Sequence, residues 1–195
     1  MKNYFTLFLS LLVSFGSCRN RQLKNDLEKF LGTKLTIPAN LQATFNGKDT
    51  LLTDFIKEKA KLVVWIDSTY CSSCQISKMY EWKEILSYAD SIGHQFSVLF
   101  LFTPKKSDLP SVRIALQTYK IDYPVFLADH DEFIKPNPFL PEHDHRMHTF
   151  LLDADNKALL AGNPVNNSQL WELYKSVIEK LVNKNSRLPE QLYKP

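Results

Sequence analysis

Cysteine is scarce in this chain: three residues among 195, at positions 18, 71 and 74. That number cannot build a framework of structural disulfides. Two of the three stand only three apart, where a closed loop is too short to stabilise much by itself. Charge of one sign is lacking too. Lys and Arg number 24 against 21 Asp and Glu, for a formal net charge of +3, and no basic run or basic-aromatic cluster stands out, which argues against a nucleic-acid surface. No apolar stretch reaches the ~20 residues that a bilayer-spanning helix needs. Internal repeats and low-complexity segments are absent. What remains, 44% hydrophobic and 23% charged, is the composition of an ordinary globular chain with room for one domain.

The N-terminus carries a targeting pattern: Lys2, an apolar run from Tyr4 to Phe15, then the small pair Gly16-Ser17 before Cys18. It resembles a bacterial lipoprotein signal, with Phe15 standing where Leu, Val or Ile is usual. That resemblance implies that residues 1–17 are removed, that Cys18 is the lipid-attached first residue, and that the mature protein faces the periplasm. Arg19, rather than Asp, after Cys18 favours the outer over the inner membrane. The plainer alternative is a secretory signal with Cys18 an incidental thiol. Either way the compartment permits disulfides, and with Cys18 lipidated only Cys71 and Cys74 remain. A lone pair reads as working chemistry rather than as a staple.

In the mature chain, residues 20–31 carry Leu23, Leu27, Phe30 and Leu31 at helical spacing and end at Gly32, so 18–34 is expected to be an anchor or linker helix. Short strands between Leu35 and Phe45 would meet at an Asn46-Gly47 turn, while 51–59 reads equally as a short helix or an irregular lead-in. Then the pattern alternates. Lys61–Ile66 is a continuous apolar strand, Ser72–Asp90 a helix striped by Ile76, Met79, Trp82, Leu86 and Ala89, and Gln95–Phe102 a second apolar strand. Leu109–Lys120 is a helix with Val112, Ala115, Leu116 and Tyr119 on one face, and Pro124–Ala128 a short strand. Such strands, apolar on both faces and separated by amphipathic helices, predict βαβ units with helices covering the sheet. Pro136, Pro138 and Pro141 predict a loop over 129–147 with at most one short turn. Thr149–Leu152 and Lys157–Ala161 predict an antiparallel hairpin. A last helix starts near Ser168 with Leu170, Leu173, Tyr174, Val177, Ile178 and Leu181 on its stripe; 185–195 is a tail.

Cys71-Ser72-Ser73-Cys74 sits where the first apolar strand turns into the amphipathic helix. That position puts one sulfur at a helix N-terminus and the other one turn on. The order of elements, together with Leu62–Cys74 and His148–Gly162, resembles the thioredoxin fold, and with the export segment it resembles the TlpA/ResA-type branch. The resemblance spans roughly 35–184 and implies an α/β thioredoxin-like sandwich, a mixed sheet flanked by helices behind an N-terminal extension. Two departures stand out. Tyr70 occupies the place of the aromatic, often Trp, before the first cysteine. His148 occupies the place of the cis-proline before Thr149; a cis bond before a residue other than proline costs about 2.5–4 kcal/mol, so Met147–His148 is expected to be trans.

The resemblance implies a thiol-disulfide oxidoreductase. Cys71 would be the nucleophile, its thiolate favoured by the amides of Ser73 and Cys74 and by the helix dipole; Cys74, expected to be the more buried sulfur, would resolve the mixed disulfide. Tyr70, Ser72, Ser73, His148 and Thr149 are the flanking residues. Expected partners are disulfide-containing or reduced envelope proteins and a membrane electron donor, with the chain a monomer and no cofactor. His148 has three possible roles: thiolate partner, third ligand beside Cys71 and Cys74, or partly exposed filler of the proline's place, the last being commonest for a lone histidine. The tract Glu142, His143, Asp144, His145 and His148 matches no zinc signature, and a proline-flanked polar loop explains it more simply. Trp65, Trp82 and Trp171 are expected in the core. Two competing functions use the same sulfurs. A thioredoxin-fold peroxidase would want Pro and Thr at fixed offsets before the reactive cysteine, where this chain has Val64 and Ser68. A copper or other metal carrier would use Cys71, Cys74 and a histidine, although such proteins usually place three residues between their cysteines.

Overall fold

The computed structural model describes residues 21–38, 41–45, 48–50, 57–93, 95–141 and 143–183. The targeting segment with Cys18, the Asn46-Gly47 turn, most of 51–59 and the tail after 183 lie outside the described residues. Among the described residues no helix is long and apolar enough to cross a membrane.

Helix α1 (residues 21–30) leads into a seven-stranded mixed sheet. Its strands are β1 (Gln42–Phe45), β2 (Lys48–Thr50), β3 (Ala60–Ile66), β4 (Phe96–Phe102), β5 (Val125–Leu127), β6 (Thr149–Asp153) and β7 (Ala158–Ala161), in the spatial order β2-β1-β5-β4-β3-β6-β7. β3, β4 and β5 run parallel; β1, β2, β6 and β7 pair antiparallel at the two sides. The parallel strands are the continuous apolar runs because both their faces are covered: every residue of β3 and β4 is buried.

Between and after the strands lie α2 (Ser72–Ser77), α3 (Lys83–Ser91), α4 (Leu109–Tyr119), α5 (His130–Ile134) and α6 (Ser168–Val182). Alternation along the strands sorts the side chains into two cores. Leu62, Val64, Val98 and Phe100 face α2, α3, α4 and α6. Val63, Trp65, Leu99, Leu101 and Phe150 face Phe30 of α1 and Phe133 of α5.

Two expectations need correction. The helix predicted over 72–90 is broken: α2 ends at Ser77, a 3-10 turn spans Met79–Trp82, and α3 follows. The buried residues Ile76, Met79, Trp82 and Ile85 recur at threes, a spacing that three residues per turn keep in line and 3.6 would carry around the axis. Ile85 thereby takes the buried position expected of Leu86, which is only partly covered. The segment 129–147 also holds more regular structure than the one short turn expected. Asp129 caps α5 by accepting from the Asp131 amide, and the helix is complete before Pro136, while His145–Met147 forms a second 3-10 turn.

Candidate active site

Parallel β3 ends at Ile66, and antiparallel β6 begins beside it, with Thr149 opposite Val64. The Trp65 amide donates to the His148 carbonyl at 2.8 Å, extending the ladder by one residue. The turn that leaves β3 (67–71) and the turn that enters β6 (145–148) therefore meet at the same end of the sheet. The trans expectation for Met147–His148 holds, as no cis peptide occurs among the described residues.

Asp67 shapes the first turn. Its Oδ1 accepts from the Thr69 amide at 2.9 Å and the Thr69 hydroxyl at 2.6 Å, while its backbone carbonyl accepts from the Tyr70 amide. The chain then enters α2 with Cys71 as N-cap. The Cys74 amide donates to Cys71 Sγ at 3.4 Å, and the Ser73 hydroxyl lies 3.5 Å from the same sulfur. So Ser73 approaches the sulfur with its side chain rather than the amide expected of it. Cys71 and Cys74 are joined as a disulfide, with Cα atoms 5.2 Å apart. Both cysteines are exposed. The α2 turn is short and lies over the end of the sheet, burying Ser72 and Ile76 while Cys71 and Cys74 face out. The two sulfurs differ in that Cys71 caps the helix and accepts the Cys74 amide.

His148 is not the partly exposed filler that was expected: it is 3% exposed, with its ring 4.2 Å from the Trp65 ring. Tyr70 lies edge-on to His145 at 4.5 Å and to His148 at 6.2 Å, so an aromatic wall adjoins the disulfide. Burial, then the charges of Asp67 and Asp144, push the Tyr70 phenol above its ordinary pKa, keeping it neutral. Thr149 is buried at the start of β6, and its carbonyl accepts from the Gly162 amide. Trp65, Trp82 and Trp171 are core residues, as expected. The histidine tract divides. His143 and His145 line a cleft of about 900 Å³ between α1 and residues 138–146, and His145 with His148 also lies close to Asp67, a group that His143 does not join. That association was missed in the sequence because 78 positions separate Asp67 from His145; only the placement of Asp67 at the turn hinted at it.

No protein-family model matches the chain, and no curated protein matches it in sequence. Solved structures do match in fold. The thioredoxin domain of a thiol-disulfide oxidoreductase from Bacteroides vulgatus aligns at TM-score 0.51 and 19% identity, over 76% of this chain and 97% of that one. A protein assigned to electron transfer from Aquifex aeolicus aligns at 0.52 and 16%, over 80% and 99%. One assigned as the thiol:disulfide interchange protein DsbE from Chlorobium tepidum aligns at 0.50 and 13%, over 76% and 99%. The chain has the thioredoxin-like fold, a mixed α/β sheet flanked by helices, with its Cys71–Cys74 pair at the head of the helix that follows β3.

Proposed function

We propose that this protein is a thiol-disulfide oxidoreductase of the bacterial envelope, held by a lipid at Cys18 and reducing partner disulfides through Cys71 and Cys74. One observation carries the redox assignment: an exposed disulfide whose first sulfur is the N-cap of α2 and accepts the Cys74 amide. In the reduced state the same amide and the helix start favour thiolate on Cys71. That thiolate attacks one sulfur of a substrate disulfide and expels the other as a thiolate, leaving a mixed disulfide on Cys71. Cys74, deprotonated, then attacks Cys71 Sγ; the substrate leaves as a dithiol and the Cys71–Cys74 disulfide re-forms. The two electrons passed to the substrate must be replaced by a dithiol donor on the membrane side, since the envelope itself is oxidising. The leader ending in Cys18 supports the envelope placement, and Arg19 supports the outer membrane.

Reduction of insulin disulfides in the presence of dithiothreitol tests the activity. The intact protein should accelerate it, Cys71→Ser should abolish the effect, and Cys74→Ser expressed in its native envelope should accumulate mixed disulfides that dithiothreitol releases. Consumption of hydrogen peroxide with insulin left intact would instead make the protein a peroxidase. Fatty-acid labelling lost in Cys18→Ser tests the anchor separately.

A further inference from the structure

Beside the dithiol, the two turns at the end of the sheet bring together groups that the redox chemistry does not use. Asp67, His145 and His148 each offer one donor atom, and these three atoms lie within 4.8 Å of one another. We propose that they form a binding site for a divalent transition-metal ion, with zinc the expected occupant.

Four observations converge on it. The donor set, two imidazoles and one carboxylate, is the kind that binds zinc with a fourth position left to water or substrate. His145 and His148 are three apart on a 3-10 turn, where side chains at that spacing eclipse and share a side. Asp67 is 2% exposed, and among the described residues no lysine or arginine forms an ion pair with it. A buried carboxylate costs free energy unless a cation or hydrogen bonds compensate it. The hydrogen bonds it does have, from the Thr69 amide and hydroxyl, converge on one oxygen and orient the group as the outer shell of a metal carboxylate does. Finally, His145 and His148 line a cavity of about 260 Å³ together with Trp65, Tyr70 and Thr149, which gives an ion and its fourth ligand a way in. Of the three donors, His145 is the exposed one, so its ring has room to adjust toward an ion held by the two buried groups. Asp144, adjacent in sequence, is not a ligand of this site: its carboxylate is held by the Arg146 guanidinium and amide.

The test is a zinc titration by calorimetry of protein whose Cys71–Cys74 disulfide is closed and whose remaining thiol is alkylated, so that no sulfur competes. One ion per chain should bind. His145→Ala, at an exposed position, should weaken binding by roughly tenfold or more, and Thr69→Val, which removes the hydroxyl bond to the carboxylate and keeps the amide one, by about tenfold. His143→Ala should leave it unchanged. Cobalt(II) in place of zinc should give the visible absorption of a low-coordinate site in the intact protein, lost in His145→Ala with the circular dichroism of the fold retained. No binding by the oxidised protein would overturn the proposal. So would equal losses from His143→Ala and His145→Ala, or binding that appears only after the disulfide is reduced.

Discussion

Tyr123 shows how a single side chain finishes what a strand leaves incomplete. β5 pairs with β4 only from Phe100 onward, so the Val98 amide points past its end; Tyr123 Oη accepts it at 3.2 Å. Burial pushes this phenol up to about 12 from an ordinary 10.0. Removing the oxygen leaves a buried N–H unsatisfied, so Tyr123→Phe should destabilise the protein by about 1–2 kcal/mol at pH 7. Above pH 10 the unfolded phenol ionises while the folded one keeps its proton. The stability of the unsubstituted protein is therefore lost as pH climbs from 10.0 toward about 12. The variant escapes that loss, and the gap between the two should narrow over the interval, as urea unfolding at pH 7, 10 and 11 would show. Residue identity was legible here without its meaning: in the sequence Tyr123 is one more aromatic before Pro124.

At the scale of elements, Asn137 acts as a fragment of strand. Its Oδ1 accepts from the Thr36 amide at 2.7 Å, and its Nδ2 donates to the Thr36 carbonyl at 2.8 Å and the Phe133 carbonyl at 2.7 Å. One buried amide thus ties the chain after α1 to the end of α5, 101 residues away. Asn137→Ala should cost about 2–3 kcal/mol, seen as a lower urea midpoint with the slope unchanged. The prolines around Asn137 were visible in the sequence, yet they predicted a loop with at most one short turn. Proline stops a helix from running through its own position; it leaves room for the short α5, which Asp129 starts and which is complete at Ile134, before Pro136. The broken helix after Cys74 has a parallel origin. Periodicity averaged over the whole of 72–90 favours one α-helix, whereas the local three-residue spacing of Ile76, Met79, Trp82 and Ile85 decides the break.

At the scale of the molecule, the described residues form one sheet with a core on each face, and α1 belongs to the second of them. Phe30 is fully buried, edge-on to Phe150 at 5.3 Å, and the chain beyond it is stitched to β7 through the Gly32 amide and the Ala158 carbonyl. Phe30→Ala should cost about 3–4 kcal/mol. Because its cavity opens against the central sheet, the loss should lower a single unfolding transition, reported alike by tryptophan fluorescence and far-ultraviolet circular dichroism, rather than detach α1 by itself.

The sequence alone determined the parallel core and its order, because strands buried on both faces must be written as unbroken apolar runs and their helices as stripes. It also determined the placement of Cys71 and Cys74 at a strand-to-helix turn, which is a local matter of neighbours along the chain. Tertiary structure decided the rest of the site. Where the ring of His148 lies, and that Asp67 stands within reach of His145, both follow from β6 running antiparallel against β3. That pairing juxtaposes residues far apart in the chain, and no periodicity along a one-dimensional pattern encodes such a distance.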